Sequence, residues 1–210
     1  IIREVSLYSK VNHPAISRYY GLSPYDFDNE PFPCLILEYY QNQSLNEVIY
    51  NDNKPSNWNN TKILINLYGI ASGVSYLHSQ NILYRDLKPG NILEDGNFYP
   101  KLSDFGSARF SSSGNENSTQ IFNTPLYMAP EIIDSPNYSN ASDVYSFGIL
   151  AYELLENKSP FSRIYAGFKL FSLVKSGKRP EFTKPIPNCY KNLITKCWSQ
   201  DPKNRPSFSE

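Results

Sequence analysis

Two short stretches place oxygen and ammonium groups at spacings that chemistry can use. They are Tyr84-Arg85-Asp86-Leu87-Lys88-Pro89-Gly90-Asn91 and, with Asp104 thirteen positions after Asn91, Asp104-Phe105-Gly106. Asp86 can orient a hydroxyl and accept its proton, while Lys88, two residues on, is a compact positive point charge. Asn91 and Asp104 offer hard oxygen ligands of the kind that suits magnesium. Such a set aligns an acceptor oxygen and offsets charge on a group in transit, with no covalent nucleophile on the protein. Alone, either stretch also reads as ordinary structure: a solvated Asp–Lys pair in a turn, or a hairpin at Asp-Phe-Gly. It is the coincidence of four such residue types at these offsets that argues for a site.

The pattern resembles the protein kinase family. The catalytic loop of that family runs His or Tyr, Arg, Asp, Leu, Lys, two variable residues and Asn, and a metal-binding Asp-Phe-Gly follows at a similar distance. The resemblance implies transfer of the γ-phosphoryl group of ATP to a protein hydroxyl with Mg2+. Asp86 would act as the base, Lys88 would sit at the transferring phosphate, and Asn91 and Asp104 would hold the metal. Tyr84 stands where His is commoner, a variant also found in active members. Ala129-Pro130-Glu131 resembles the motif closing the family's activation segment, and Arg205, in Asp201-Pro-Lys-Asn-Arg205-Pro206, resembles the distant partner of that glutamate. Buried charges persist only when paired, so losing either should be costly. Asp143, in Ser142-Asp-Val-Tyr-Ser-Phe-Gly148, resembles the acid that holds the catalytic-loop backbone; a simple helix-capping Asp is the other reading.

Thr124, in Asn123-Thr-Pro-Leu-Tyr-Met-Ala-Pro-Glu131, occupies the position from which a threonine bonds the catalytic Asp and Lys in serine/threonine kinases. Lys88 is also the residue that class carries, so serine/threonine specificity is expected. The tail from Cys197-Trp198 to Phe208 is similar instead to the tyrosine-kinase and tyrosine-kinase-like groups, and the combination suggests the tyrosine-kinase-like group with serine/threonine chemistry. In kinases of this pattern Arg85 belongs to a basic pocket that a phosphorylated activation loop can fill, with Ser118 or Thr119 as the favoured phosphosites. An unregulated solvated loop explains the same hydroxyls.

Leu35-Ile-Leu37-Glu38-Tyr39-Tyr40 resembles the strand and hinge that hold adenine. Leu37 would be the gatekeeper, backbone groups of Glu38 and Tyr40 would bond the ring edge, Ser44 would reach the ribose, and Leu93 would form part of the floor. An apolar strand and a helix cap explain the same letters. Glu4 aligns with the helix glutamate that pairs with an ATP-binding lysine, and Tyr8, Tyr19, Tyr84 and Phe105 fall where an apolar spine would stack. The glycine-rich loop and the lysine strand would lie upstream of Ile1 in the family order, so the expectation is an N-terminally truncated domain.

These residues need elements to hold them. Ile2, Val5, Leu7 and Val11 predict an amphipathic helix ending before Asn12-His13-Pro14, since Pro14 disfavours helical geometry at His13. Tyr19-Tyr20 begins strand-like chain, and Cys34 to Tyr40 is a short apolar run suited to a buried strand. Thr61 is a plausible cap for a core helix with Ile63, Leu64, Leu67, Ile70, Ala71, Val74 and Leu77 at three- and four-residue spacing. Helical pattern dominates from Ser142 onward. Strands early and helices later predict an α+β, kinase-like bilobal fold. Residues 1–40 would be a partial N-lobe from the family's helix C to the hinge, and residues 41–210 a mostly helical C-lobe, within one partial catalytic domain spanning 1–210.

Composition narrows the class. The 210 residues are 40% hydrophobic and 19% charged, which suits a globular domain rather than a disordered or fibrous one. Twenty basic and twenty acidic residues cancel, so nothing steers the whole chain toward nucleic acid or an anionic membrane. Cys34, Cys189 and Cys197 are odd in number and lack zinc-like spacing, which fits a reducing, cytoplasmic setting. The longest mainly apolar stretch, Val144 to Leu155, is too short for a membrane segment and carries Ser146, Tyr152 and Glu153. The resemblance to protein kinases implies protein substrates as partners. Two other readings compete: a catalytically impaired kinase-like scaffold, and a small-molecule phosphotransferase. The Thr124 segment and Ala129-Pro130-Glu131 speak against the second.

Overall fold

A computed structural model describes residues 1–111, 125–161 and 168–210. The first helix, α1 (Ile2–Tyr8), is shorter than its periodicity predicts. Leu7 and Tyr8 are buried, whereas Ile2 is exposed, and beyond Tyr8 the Lys10 and Val11 N–H groups reach back only three residues, to the Leu7 and Tyr8 carbonyls. The apolar stripe thus ends in a tight turn well before Asn12. Next come β1 (Tyr19–Ser23) and β2 (Cys34–Leu37), an antiparallel pair with Leu22 opposite Leu35 and an irregularity between Tyr19 and Gly21.

A short helix, α2 (Leu45–Tyr50), starts at Ser44, whose hydroxyl accepts the Glu47 N–H at 3.3 Å. The long α3 (Asn60–Ser79) is capped by Asn59 and not by Thr61. Asn59 has extended backbone, which lets its Oδ1 take the Lys62 N–H at 3.2 Å, whereas Thr61 already lies inside the first turn. Ile70, Val74 and Leu77 are fully buried along one stripe of α3, while Leu64 lies on its exposed side.

Four short strands follow: β3 (Ile82–Leu83), β4 (Ile92–Glu94), β5 (Pro100–Leu102) and β6 (Arg109–Phe110). They form two antiparallel ladders, β3 with β6 and β4 with β5, the latter placing Ile92 opposite Leu102. Backbone bonds from Leu102 to Ala15 and from Ser17 to Leu102 fasten the chain after α1 onto β5.

The rest is helical: α4 (Pro130–Asp134), α5 (Asn140–Glu156), α6 (Phe168–Lys175) and α7 (Asn188–Cys197). Apolar residues on every side of α5 are buried, among them Tyr145, Ile149, Leu150 and Tyr152, which makes it the axis of the helical core. The architecture is α+β, and no described helix is long and apolar enough to cross a membrane.

Candidate active site

Asp143, in the first turn of α5, organises the loop between β3 and β4. Its carboxylate accepts the Tyr84 N–H at 2.9 Å and the Arg85 N–H at 2.8 Å, and it meets His78 Nε2, from the last turn of α3, at 2.8 Å. Two successive N–H groups can face one carboxylate because Arg85 adopts φ +72°, a left-handed conformation that costs an L-residue on the order of 1 kcal/mol or more. Charge-assisted bonds at both N–H groups offset that cost. The capping role belongs to Ser139, so Asp143 serves the loop.

Tyr84 is fully buried, and its hydroxyl donates to the Ser103 carbonyl, with the Asn91 carbonyl 3.2 Å away. Burial raises the phenol well above its usual range, which keeps it a donor. Ser103 gives both its N–H and its hydroxyl to the Asn91 carbonyl at 2.9 Å. The loop and the segment leading to Asp104 are thereby tied at one point.

On this frame Lys88 Nζ lies 2.7 Å from Asp86 Oδ2, and Asn91 Nδ2 gives bonds to the same oxygen at 2.8 Å and to the Asp86 carbonyl at 2.9 Å. With two hydrogen bonds on Oδ2, Oδ1 is the Asp86 oxygen that no hydrogen bond among the described residues occupies. Using its amide hydrogens on Asp86 also leaves Asn91 its Oδ1 as a ligand atom. Asp104 is exposed, has φ +54° and accepts the Gly106 N–H at 3.2 Å.

Phe105 turns the opposite way and is fully buried. Its ring lies 4.6 Å from Tyr8 and 5.7 Å from Tyr84, and Tyr8 stacks on Tyr19 at 5.9 Å. Four rings from β1, α1 and the two loops make one continuous row. Beside it Glu4 is half-buried, and burial, followed by the Asp104 carboxylate, pushes its carboxyl above the usual range. Arg85 lies with its guanidinium 4.1 Å over the Tyr138 ring.

Glu131 and Arg205 form a two-pronged pair at 2.7 and 2.8 Å. Arg205 also gives bonds to the Ala141 and Ser199 carbonyls and lies over the Tyr145 ring, so four of the five N–H groups on its fully buried side chain have hydrogen-bond partners among the described residues. At the connector after β2, the Glu38 N–H goes to the Arg18 carbonyl at 2.9 Å, and the Tyr40 hydroxyl bonds Glu38 Oε2 at 3.1 Å. Leu37 and Leu93 are half-buried. Ser44 caps α2 and pairs across an isolated bridge with Leu93. Thr124, Ser118 and Thr119 lie outside the described residues.

Sequence reasoning missed three groups. His78 completes the Asp143 site from 65 positions away. Glu153, in α5, takes bonds from the Tyr127 and Tyr50 hydroxyls, and burial pushes its carboxyl up. Glu94 and Asn66 meet in the core between α3 and β4. Only Glu94 carried a local signal, as a carboxylate closing the otherwise apolar Ile92-Leu93 strand.

Residues 1–210 match the family described as protein kinase domain. The chain is 38% identical over 206 residues to RGS domain-containing serine/threonine-protein kinase A of Dictyostelium discoideum, covering 98% of this chain and 18% of that protein. It is 34% identical over 216 residues to mitogen-activated protein kinase kinase kinase 7 of Homo sapiens, covering 100% of this chain and 34% of that one. The chain thus spans about a third or less of the length of these curated relatives.

Proposed function

Because this chain belongs to the protein kinase family, we propose that it is a serine/threonine kinase domain that transfers the γ-phosphoryl group of ATP to protein hydroxyls. The observation that carries the reading is the convergence of Lys88 and Asn91 on one oxygen of Asp86, on a loop whose backbone Asp143 holds. Asp86 Oδ1 would align the acceptor hydroxyl. As its oxygen bonds to phosphorus and the bond to the bridging oxygen of ADP breaks, the proton would pass to Asp86. Lys88 would then offset charge on the transferring oxygens. The donor set fits magnesium: Asn91 spends its amide hydrogens on Asp86 and keeps Oδ1 as a ligand atom, and the exposed Asp104 carboxylate follows directly on Ser103, which bonds the Asn91 carbonyl. When bound, the metal would neutralise phosphate charge.

The same reading divides the chain into a nucleotide-side part, residues 1–40, and a larger part, residues 41–210. At the connector, Glu38 N–H is already spent on Arg18, so the groups proposed for the adenine edge are the Glu38 carbonyl and the Tyr40 N–H. Leu37 would guard the pocket and Leu93 would form its floor. Ser44 accepts the Glu47 N–H as the cap of α2 and would turn its own O–H to the ribose. Glu4, next to Asp104, would pair a lysine at the phosphates, and Arg85, Ser118, Thr119 and Thr124 would regulate and complete the acceptor side. Three unpaired thiols support a cytoplasmic setting.

The test is transfer of labelled phosphate from ATP to a protein acceptor, by the protein and by its Asp86→Asn variant. We expect kcat to fall about 100-fold or more in the variant, with nucleotide binding retained. Equal transfer by both would exclude Asp86 as the base.

A further inference from the structure

Glu94 and Asn66 are both fully buried, and they meet through Asn66 Nδ2, which lies 3.4 Å from Glu94 Oε2 and also bonds the Phe98 carbonyl at 3.2 Å and the Lys62 carbonyl at 3.1 Å. The other oxygen of each, Glu94 Oε1 and Asn66 Oδ1, is buried and has no hydrogen-bond partner among the described residues. Two orphaned acceptors on a pair of residues in contact in the core are costly, and a carboxylate charge on one of them would add more. A single proton removes both faults. It turns Glu94 Oε1 into a donor, offers Asn66 Oδ1 a partner, and leaves no net charge.

The charged groups nearest Glu94 do not supply an alternative. Lys62, on α3, gives its ammonium to the Asn97 carbonyl at 2.6 Å, and Lys101, on β5, lies 3.6 Å from Asp95, which itself opposes a second negative charge.

We propose that Glu94 is held as the neutral carboxylic acid, paired with the Asn66 amide, and acts as a positioning residue that locks the connector between β2 and α2 onto β4. Its backbone joins the two: the Asn42 N–H donates to the Glu94 carbonyl at 3.2 Å, and the Glu94 N–H donates to the Gln43 carbonyl at 2.8 Å. β4 follows directly from Asn91 and includes Leu93, so loss of the proton would loosen the strand beneath the nucleotide position assigned above. That consequence rests on the proposed function, but the proton itself does not.

Burial raises the Glu94 carboxyl from 4.5 to about 8, in agreement with the geometry. Between those values the folded chain holds one proton more than the unfolded chain. The stabilisation is therefore full below pH 4.5, declines as pH rises, and is lost above about 8.

The experiment is thermal unfolding of the protein without nucleotide, from pH 5 to pH 8.5, for wild type, Glu94→Gln and Glu94→Leu. Both variants remove this titration while keeping His13, His78, Glu4 and Glu153, so the difference from wild type isolates Glu94. We expect the Tm of Glu94→Gln minus that of wild type to grow by on the order of 10 °C across the range, because the Gln amide donates where the lost proton did. Glu94→Leu should show the same pH trend at a lower absolute Tm. Differences that do not change with pH in either variant would overturn the proposal. If the trend holds, the KM for ATP of wild type should rise between pH 7 and 8.5 and that of Glu94→Gln should not. A flat wild-type KM would overturn the positioning role, while loss of transfer at every pH would count against the kinase reading alone.

Discussion

At the scale of single residues, the candidate site works by spending polar atoms on each other until only the useful ones remain. Asp86 Oδ2 takes Lys88 and Asn91, and Asp143 takes two backbone N–H groups and His78, so what faces outward is defined by what is already occupied. Arg205 shows how steep the alternative is. Replacing Arg205 with Ala would strand Glu131 and release two carbonyls, and should cost about 3 kcal/mol in chemical denaturation. Adding Glu131→Ala to that variant should recover part of the loss, because the unpaired carboxylate goes too; a fully additive double variant would show that the two do not act as a pair. Asp143→Asn should lower kcat for phosphate transfer by about 10-fold or more with little change in KM. A neutral amide has one acceptor oxygen where two N–H groups now point, and its own NH2 would face one of them.

At the scale of elements, the site depends on helices and strands packed closely enough to fix their ends. α5 and α7 cross at Gly148, where a Cβ would lie 2.9 Å from the Cys197 Cβ and 3.2 Å from the Trp198 backbone nitrogen. Helix propensity alone favours Ala there by about 1 kcal/mol. The contact is with a Cβ and with backbone, neither of which can swing aside, so Gly148→Ala should be destabilising by about 1 kcal/mol or more in spite of propensity. A gain in stability would mean that the two helices separate easily. The same close approach recurs where α3 meets β5, at Gly73 against Leu102 and Ala15, and that contact seats the strand that leads into Asp104. Helix ends were less legible than helix bodies. The stripe of Ile70, Val74 and Leu77 follows from periodicity, but Asn59 rather than Thr61 caps α3 because a cap is chosen by backbone conformation, which nearby residues of similar chemistry do not reveal.

At the scale of the whole molecule, the row of rings from Tyr19 through Tyr8 and Phe105 to Tyr84 joins the two ends of the candidate site, so ligand binding should register as global stability. A non-hydrolysable ATP analogue with magnesium, at about 100 times its Kd, should raise Tm by roughly 5 to 10 °C, and chelating the metal or replacing Asp104 with Ala should remove most of that rise. An equal rise after chelation would exclude the metal role of Asn91 and Asp104. The candidate residues of the Asp86 loop and Asp-Phe-Gly were legible in the sequence itself, because the chemistry proposed for them calls for fixed residue types at short separations that a linear reading can see. Core helices were visible for a similar reason, since burial repeats with the helical turn. What joins positions far apart was decided only by the tertiary structure. Glu131 meets Arg205 across 74 positions, His78 meets Asp143 across 65, and Asn66 meets Glu94 across 28. In each case the energy comes from pairing a buried polar group, and no local pattern announces which partner burial will bring.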